Sequence, residues 1–205
     1  MGGKMSKLVV ISGPSGVGKG TIVSHLKDMY QEKNEKLYLS ISCTTRSIRE
    51  GEVDKVHYYF IKEEDFLEKI AKNDFLEYNK YGTGKYYGTP KSTVLKYLNE
   101  GYDVILEIDI NGYRQIKENY PDCIGIFIMP PNEKELYNRL KNRNTETEDV
   151  IKTRLETAKY EIENRDIYDY IIVNENNKSM ESAKDIYNII HNGVDSEKNS
   201  ILQNL

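Results

Sequence analysis

Cysteine and long apolar runs are scarce in this chain of 205 residues, and positive charge is not in excess. The two cysteines, Cys43 and Cys123, lie far apart in the sequence. They form neither a disulfide framework nor a cluster of metal ligands, and they suit a reducing compartment. The longest apolar runs, such as "VVI" and "YIIV", fall far short of the roughly 20 residues that span a bilayer. Because no signal-peptide pattern opens the chain either, we expect a cytoplasmic protein without a membrane partner.

The composition also limits the class of partner. The formal net charge is −4, which gives no overall field that would attract nucleic acid. Hydrophobic residues make up 38% of the chain and charged residues 30%, which is ordinary for a folded globular protein. We therefore expect no nucleic-acid partner, and any basic binding site must be local.

Five apolar runs of strand length alternate with helical patterns. The runs begin at Leu8, Leu37, Asp103, Ile124 and Tyr170, and most are almost uniformly apolar, as in parallel strands that are buried on both faces. This alternation predicts an α/β fold with a central parallel five-stranded sheet, flanked by helices in right-handed crossovers. The predicted helices span residues 21–32, 63–72, 92–100, 112–118, 133–143, 148–164 and 179–191.

Two segments interrupt the alternation. Residues 43–90 are rich in tyrosine, glycine and charge, which predicts an inserted lobe with a small mixed, largely antiparallel sheet and one short helix. The polar run at residues 142–153 contains the capping pattern Thr145-x-x-Glu148 and predicts a helical lid. We therefore expect three parts: a core domain (residues 1–41, 98–133 and 158–205), the inserted lobe (42–97) and the lid (134–157).

A glycine-rich loop connects the first predicted strand to the first predicted helix. It has the spacing Gly13-x-x-x-x-Gly18-Lys19. Glycines let several backbone N–H groups turn toward one phosphate, the helix adds the positive end of its dipole, and the lysine adds a full charge. A tight turn with an incidental lysine is the alternative. Since strand, spacing, lysine and helix all agree, the pattern indicates a nucleotide phosphate site.

One position departs from the usual phosphate-loop pattern, in which Ser or Thr follows the lysine and holds Mg²⁺. Here Gly20 follows Lys19, and Thr21 is rotated by about 100° on the helix. Our hypothesis is that Mg²⁺ is held mainly by nucleotide phosphates and water, with Thr21, Glu107 and Asp109 as further candidates. Glu107 and Asp109 lie two apart in the run "VILEIDI" and would share one face of a strand. The alternative is a strand end that reaches solvent.

The segment "SCTTRSIREGE" opens the inserted lobe. Arg46 and Arg49 lie three apart beside several hydroxyl groups, which is a good arrangement for a phosphate dianion. Tyr58 and Tyr87 could add phenol donors or ring faces. Read without the tyrosines, a solvated basic loop is at least as good an interpretation.

The motifs of this chain resemble, in order and spacing, those of guanylate kinases, the enzymes that phosphorylate GMP with ATP. The resemblance covers residues 8–191 and implies a P-loop nucleoside monophosphate kinase fold, with GMP in the inserted lobe. It is specific as a set, although the phosphate loop alone matches many NTPases. The motifs are "GPSGVGKGT", "SCTTRSIREGE", "FLEY", "YYGTP", "LEIDINGYRQIK", "FIMPP", "RLKNRNTETEDVIKTRL" and "YDYIIVNEN".

The resemblance also implies a role for individual residues. For ATP binding it implies Gly13, Pro14, Ser15, Gly16, Val17, Gly18, Lys19, Gly20, Thr21 and Asn174. For the GMP phosphate it implies Arg46, Arg49, Tyr58 and Tyr87, and for the guanine it implies Ser42, Glu77, Thr89 and Asp109. Guanine offers an N1–H and an amine that one carboxylate can accept, whereas adenine presents an acceptor at N1, so Glu77 would be the specificity residue.

The predicted mechanism is direct in-line transfer of the γ-phosphoryl group of Mg-ATP to GMP, and dGMP is an expected second acceptor. Lys19, Arg139, Arg143 and Arg154 would be catalytic, since the resemblance places the three arginines over the phosphates; a solvated face is the ordinary alternative for them. Asn144 departs from the family, in which glycine often follows the lid arginine.

Two rival functions are a guanylate-kinase-like binding module and a kinase for another nucleoside monophosphate. A binding module typically has a degraded phosphate loop, whereas the loop lysine and the lid arginines are intact here. Glu77 and Asp109 favour guanine over the base of another nucleoside monophosphate.

Overall fold

The computed structural model describes residues 6–82, 84–142 and 147–193. Within them, strands and helices follow one another in the predicted order, and most helix ends lie within two residues of the prediction. The elements are β1 (Leu8–Ser12), α1 (Lys19–Glu32), β2 (Leu37–Leu39), β3 (Cys43–Thr44), β4 (Tyr59–Phe60), α2 (Glu63–Ala71), β5 (Phe75–Lys80), β6 (Tyr86–Pro90), α3 (Lys91–Asn99), β7 (Asp103–Glu107), α4 (Ile110–Asn119), β8 (Ile124–Met129), α5 (Glu133–Lys141), α6 (Glu148–Glu163), β9 (Tyr170–Val173) and α7 (Ser179–Asn192).

The central sheet has five strands in the order β2-β7-β1-β8-β9. All five residues of β1 are buried, as expected for an almost uniformly apolar strand that is covered on both faces of the sheet. Its partner β8 runs parallel to it, with Val9 opposite Ile124 and Ser12 opposite Phe127. The predicted α/β fold with a parallel five-stranded sheet is confirmed.

A second sheet lies within the predicted inserted lobe, in the order β4-β3-β6-β5. Strand β6 pairs antiparallel with both β3 and β5, while β3 pairs parallel with β4, so the sheet is mixed as predicted. The register places Glu77 opposite Thr89 and Asn79 opposite Tyr87. Because side chains alternate along a strand, these four side chains share one face of the β5–β6 pair.

The chain divides into two compact units by contacts between residues. The first unit combines the segment that ends at Leu8 with residues 36–123, and the second combines residues 9–35 with the chain from residue 124 onward. In the first unit, Cys43, Phe66 and Phe75 form a buried cluster. The second unit has its own cluster of Leu136, Leu140, Ile151 and Ala158. The three-part division into core, lobe and lid stays a prediction.

The prediction for the segment after Asp103 is wrong in one respect. Strand β7 ends at Glu107, and Asp109 is the N-cap of α4, where its Oδ1 accepts from the N–H of Gly112 at 2.8 Å. The two carboxylates therefore do not share a strand face, and Glu107 is exposed at the strand end. The first N–H groups of a helix have no partner within the helix, and a capping aspartate accepts a hydrogen bond from one of them.

The predicted lid falls partly outside the described residues. Arg143, Asn144 and Thr145 lie there, while α6 begins at Glu148 with Thr147 as its N-cap, two residues after the predicted cap. Among the described residues, no helix is both long enough and apolar enough to cross a membrane.

Candidate active site

The glycine-rich loop lies in the second unit, between β1 and α1. Gly13 and Gly18 have φ angles of 144° and 99°, in the region that favours glycine. A Cβ on Gly13 would collide with the carbonyl oxygen of Ile128, and one on Gly18 would lie 2.6 Å from Nδ2 of Asn174. Because the N-cap of α1 is a glycine, no N-cap side chain competes with a phosphate for the first N–H groups of the helix.

Two predicted cations contact this loop. The Nζ of Lys19 donates to the carbonyl oxygens of Gly13 and Pro14, the second at 3.1 Å. Arg154 in α6 donates from its guanidinium group to Oγ of Ser15. The structure thus brings Arg154 of α6 and the lysine to the same loop, an arrangement in which two cations could meet a bound phosphate.

Arg139 in α5 binds the backbone of the loop. Its guanidinium group donates to the carbonyl oxygens of Val17 at 3.2 Å and Asn174 at 3.0 Å, and to Oδ1 of Asn176 at 2.6 Å. Glu135, one turn earlier, pairs with its Nε at 3.2 Å. The side chain of Arg139 is only 19% exposed, so the solvated-face alternative does not hold for it.

The side chain of Asn174 is part of the loop's support. It is 5% exposed, its Nδ2 donates to the carbonyl of Val17 at 2.8 Å, and its Oδ1 accepts from Oγ of Ser182 at 3.4 Å. Sequence reasoning missed this structural role, because nothing in "VNEN" shows that β9 ends beside the loop. Contact between Asn174 and adenine stays a prediction.

A cavity of about 450 Å³ opens beside the loop within the second unit. That volume is within the range of about 300–1,000 Å³ usual for small-molecule sites. Thr21 faces this cavity, so the hydroxyl that follows Gly20 lies next to space that a nucleotide can occupy. The lining residues are Gly18, Thr21, Glu135, Arg139, Asn174, Glu175, Asn176, Asn177 and Ser179.

The first unit contains the predicted phosphate-binding arginine. The guanidinium group of Arg46 makes two parallel bonds of 2.6 Å to the carboxylate of Glu52, and its Nε donates to the hydroxyl of Tyr87 at 3.1 Å. The backbone N–H of Arg49 donates to the same carboxylate at 2.9 Å. The hydrogen bonds from Arg46 lower the pKa of Glu52 to about 2. Glu52 therefore remains ionised and fixes the plane of the guanidinium group.

Tyr58 and Tyr87 lie beside Arg46. Their rings meet edge to face with centroids 5.9 Å apart, and Cζ of Arg46 lies 5.0 Å from the centroid of Tyr58. Burial raises the pKa of Tyr58, so its phenol keeps its proton at neutral pH and can donate. Arg49 is exposed at the edge of this group. The structure thus brings Arg46, Tyr58 and Tyr87 together, and the basic segment is not merely a solvated loop.

The predicted guanine-reading residues include a buried carboxylate. Glu77 is 5% exposed and accepts from Oγ1 of Thr89, which is fully buried, at 2.6 Å. The pKa of Glu77 is raised from 4.5 to about 7. Burial is the main cause, the hydrogen bonds from Thr89 offset part of it, and the charge of Asp109 adds a smaller increase. Ser42 immediately precedes β3, and its carbonyl accepts from the N–H of Tyr59 at 2.9 Å.

Asp109 is held by three donors. Besides the N–H of Gly112, its carboxylate accepts from the hydroxyl of Tyr81 at 2.7 Å and from Nδ2 of Asn79 at 3.2 Å. These bonds fix Asp109 beside the β5–β6 face on which Glu77 lies. Three of the roughly four acceptor sites of its carboxylate are therefore already used by donors of the protein.

Sequence reasoning missed several residues that hold these groups in place. Some carried a signal: Glu52 follows Arg49 by three residues in "REGE", and Glu135 precedes Arg139 by one helical turn. Asn79, Tyr81 and Asn176 come together with their partners only through the fold. The missed residues are Glu52, Asn79, Tyr81, Gly112, Glu135 and Asn176.

Comparison with known proteins places the chain in a family. Residues 5–192 match the family model described as Guanylate kinase. The guanylate kinase of Clostridium tetani is 48% identical over 196 residues, which are 95% of this chain and 91% of that protein. The guanylate kinase of Prochlorococcus marinus subsp. pastoris is 45% identical over 186 residues, 91% of this chain and 97% of that protein.

A solved structure agrees with these relatives. The crystal structure of guanylate kinase from Anaplasma phagocytophilum superposes with a TM-score of 0.70 at 29% identity and covers 91% of this chain and 85% of that chain. The predicted resemblance is confirmed. The chain belongs to the guanylate kinase family, the ATP:GMP phosphotransferases among the nucleoside monophosphate kinases.

Proposed function

We propose that this chain phosphorylates GMP, and also dGMP, by direct in-line transfer of the γ-phosphoryl group of ATP, with each nucleotide held by the residues of one unit. The single observation that supports the choice of acceptor is the buried Glu77–Thr89 pair. Along β6 it lies two residue pairs from Tyr87, which contacts Arg46 and Tyr58. Thr89 and Tyr87 are two positions apart, which is about 7 Å in a strand. An acceptor with a base at one end and a phosphate at the other fits this arrangement.

Glu77 reads the base in this proposal. A carboxylate accepts from both the N1–H and the exocyclic amine of guanine, and Ser42, Thr89 and Asp109 complete the polar surroundings. Adenine would turn the lone pair at N1 toward the carboxylate and leave buried groups mispaired, which costs several kcal/mol. That penalty corresponds to a preference for GMP of about a thousandfold or more.

Arg46, Arg49, Tyr58 and Tyr87 bind the phosphate of GMP. Arg46 already has its guanidinium plane fixed by Glu52, so little of its side-chain entropy is lost when the phosphate arrives. Tyr58 and Tyr87 offer phenol donors beside it. Because Glu52 offsets the charge of Arg46, these residues together carry one net positive charge for the phosphate dianion.

The loop from Gly13 to Thr21 binds the phosphates of ATP, and the adjacent 450 Å³ cavity takes the rest of that nucleotide. Lys19, Arg139 and Arg154 meet the charge of the transferring group, and we assign the same role to Arg143 from the family pattern. The acceptor phosphate is ionised near neutral pH, so no strong general base is needed. The lid, residues 134–157, would exclude water, which would otherwise take the phosphoryl group.

The residues present fit a magnesium ion that is bound mainly through nucleotide phosphates and water. Among residues 6–82, 84–142 and 147–193, no group of three or more His, Cys, Asp or Glu side chains forms a metal-binding cluster. In the second unit Thr21 lines the cavity beside the loop, so its hydroxyl is a candidate to contact the ion directly or through its water. In the first unit Glu107 and Asp109 stay candidates from the sequence alone. When bound, Mg²⁺ neutralises part of the charge on the β- and γ-phosphates.

The experiment is ADP release with Mg-ATP and each of GMP, dGMP, AMP, CMP and UMP as the acceptor. We expect turnover with GMP and dGMP and at least about a thousandfold lower kcat/KM with AMP. No turnover with any acceptor would support the rival binding-module function. A preference for AMP would overturn the assignment of Glu77.

A further inference from the structure

Gly112 occupies a position where glycine has no evident backbone reason to be. It is buried in the first turn of α4, the third residue after the N-cap Asp109, and its backbone is ordinary helix. Glycine inside a helix is less favourable than alanine by about 0.5–1 kcal/mol. The helix alone would therefore be more stable with alanine at this position.

The space around Gly112 gives the reason. A Cβ at this residue would lie 2.7 Å from Oε2 and 3.1 Å from Cδ of Glu77, and 3.2 Å from Cδ1 of Ile108. All of these atoms belong to side chains, so a methyl group here would displace side chains rather than the backbone. The shortest of the contacts falls on the carboxylate of Glu77.

That carboxylate has little freedom to yield. Its other oxygen is bound to Oγ1 of Thr89 at 2.6 Å, and the side chain is 5% exposed. The N–H of Gly112 meanwhile donates to Asp109 at 2.8 Å, so the backbone of this one residue borders both carboxylates of the predicted guanine site. An added methyl group would have to push Glu77 away by roughly 0.5–1 Å.

We propose that Gly112 is a positioning residue that determines specificity for guanine, because the absence of its side chain leaves the space in which the Glu77 carboxylate lies. The inference rests on the proposed function, in which Glu77 accepts from the guanine edge. Displacement of a positioned group by about 1 Å can cost a hundredfold in rate. The loss falls on the base-dependent part of the reaction and leaves ATP binding intact.

The test measures kcat and KM for GMP, AMP and ATP with wild type, Gly112→Ala and the matched control Asn111→Ala. Asn111 is the neighbouring exposed residue of α4, and alanine there also raises helix propensity. With Gly112→Ala we expect kcat/KM for GMP to fall about 10- to 100-fold. The kcat/KM for AMP and the KM for ATP should stay within about twofold of the wild-type values. Asn111→Ala should match wild type in all of these constants.

A double-mutant cycle with Glu77→Ala decides whether the effect runs through Glu77. In the Glu77→Ala background, Gly112→Ala should change kcat/KM for GMP by less than about twofold. An equal loss in both backgrounds, or a Gly112→Ala variant that matches wild type with GMP, would overturn the inference. If Gly112→Ala alone does not fold, the double variant must fold as Glu77→Ala does, and its failure to do so would also overturn it. Wild type that is inactive with every nucleoside monophosphate would overturn the proposed function itself.

Discussion

In the proposed function, recognition of the base depends on the carboxylate of Glu77. It is buried against Thr89 and lies near the charge of Asp109, and its pKa is raised to about 7 chiefly by burial. Without a ligand, the neutral form is favoured by the surroundings. A guanine edge would reverse that preference, because its two N–H donors stabilise the ionised form.

The raised pKa makes stability depend on pH. A group whose folded pKa of about 7 exceeds its unfolded value of 4.5 stabilises the fold fully below 4.5, and this stabilisation is lost as pH rises through 7. For Glu77 the total is on the order of 3 kcal/mol. Glutamine has no such titration. We therefore predict that the free energy of unfolding of wild type, relative to Glu77→Gln, falls as pH rises from 5 to 8, measured by urea denaturation without nucleotide.

Other groups also titrate between pH 5 and 8. Their contributions are the same in wild type and Glu77→Gln, so they cancel in the difference between the two free energies of unfolding. Glu118→Gln, at an exposed position of α4, serves as the matched control and should show a difference that does not vary over this range. A constant difference between wild type and Glu77→Gln would show that the folded and unfolded pKa values of Glu77 are alike.

At the scale of the element, the turn from the loop into α1 is where the proposed magnesium binding can be tested. A Cβ on Gly20 would meet no atom within 4 Å, so serine fits there without disturbing the loop. The proposal gives most ligand positions of the ion to phosphates and water. We therefore predict that Gly20→Ser changes the Mg²⁺ concentration for half-maximal activity by less than about threefold. Gly20→Ala adds the same Cβ without a hydroxyl and serves as the control. A sharp drop in the magnesium requirement of the serine variant alone would show that the missing hydroxyl matters.

The end of β9 supports the same loop through Asn174. Its buried amide links the carbonyl of Val17 to the hydroxyl of Ser182. With Asn174→Ala these partners lose their bonds, so we expect the free energy of unfolding to fall by about 1–3 kcal/mol. The KM for ATP should rise about tenfold while the KM for GMP stays unchanged, measured by steady-state kinetics. Asn138→Ala, exposed on α5, is the control; a normal KM for ATP in Asn174→Ala would exclude a role in shaping the loop.

At the scale of the whole molecule, the sheet and most helices could be predicted from periodicity alone. Uniform apolar runs indicate strands that are buried on both faces, and the number of these strands and their positions along the chain follow directly from the sequence. Element ends were less predictable. The run "VILEIDI" continues its alternation past Glu107, but Asp109 caps α4, because a capping aspartate competes with strand pairing at that position.

The residues of the candidate site could be predicted from the sequence, but most of the contacts that hold them in place could not. The resemblance placed Arg46 and Glu77 at the nucleotide, yet nothing local shows that Glu52 fixes Arg46 or that Gly112 leaves room for Glu77. The first contact depends on the conformation of the short loop between Arg46 and Glu52. The second depends on how β5 and α4, which are distant in sequence, come together. The division of the chain into core, lobe and lid remains a prediction.

The most direct test of the central claim compares the ratio of kcat/KM for GMP to kcat/KM for AMP in wild type and in Glu77→Gln, with Glu118→Gln as the control. Glutamine presents both an acceptor and a donor where guanine needs two acceptors, so one buried group is left mispaired. We predict a wild-type ratio of about a thousand or more, a fall of at least about thirtyfold in Glu77→Gln, and no change in Glu118→Gln. An unchanged ratio in Glu77→Gln would contradict the account.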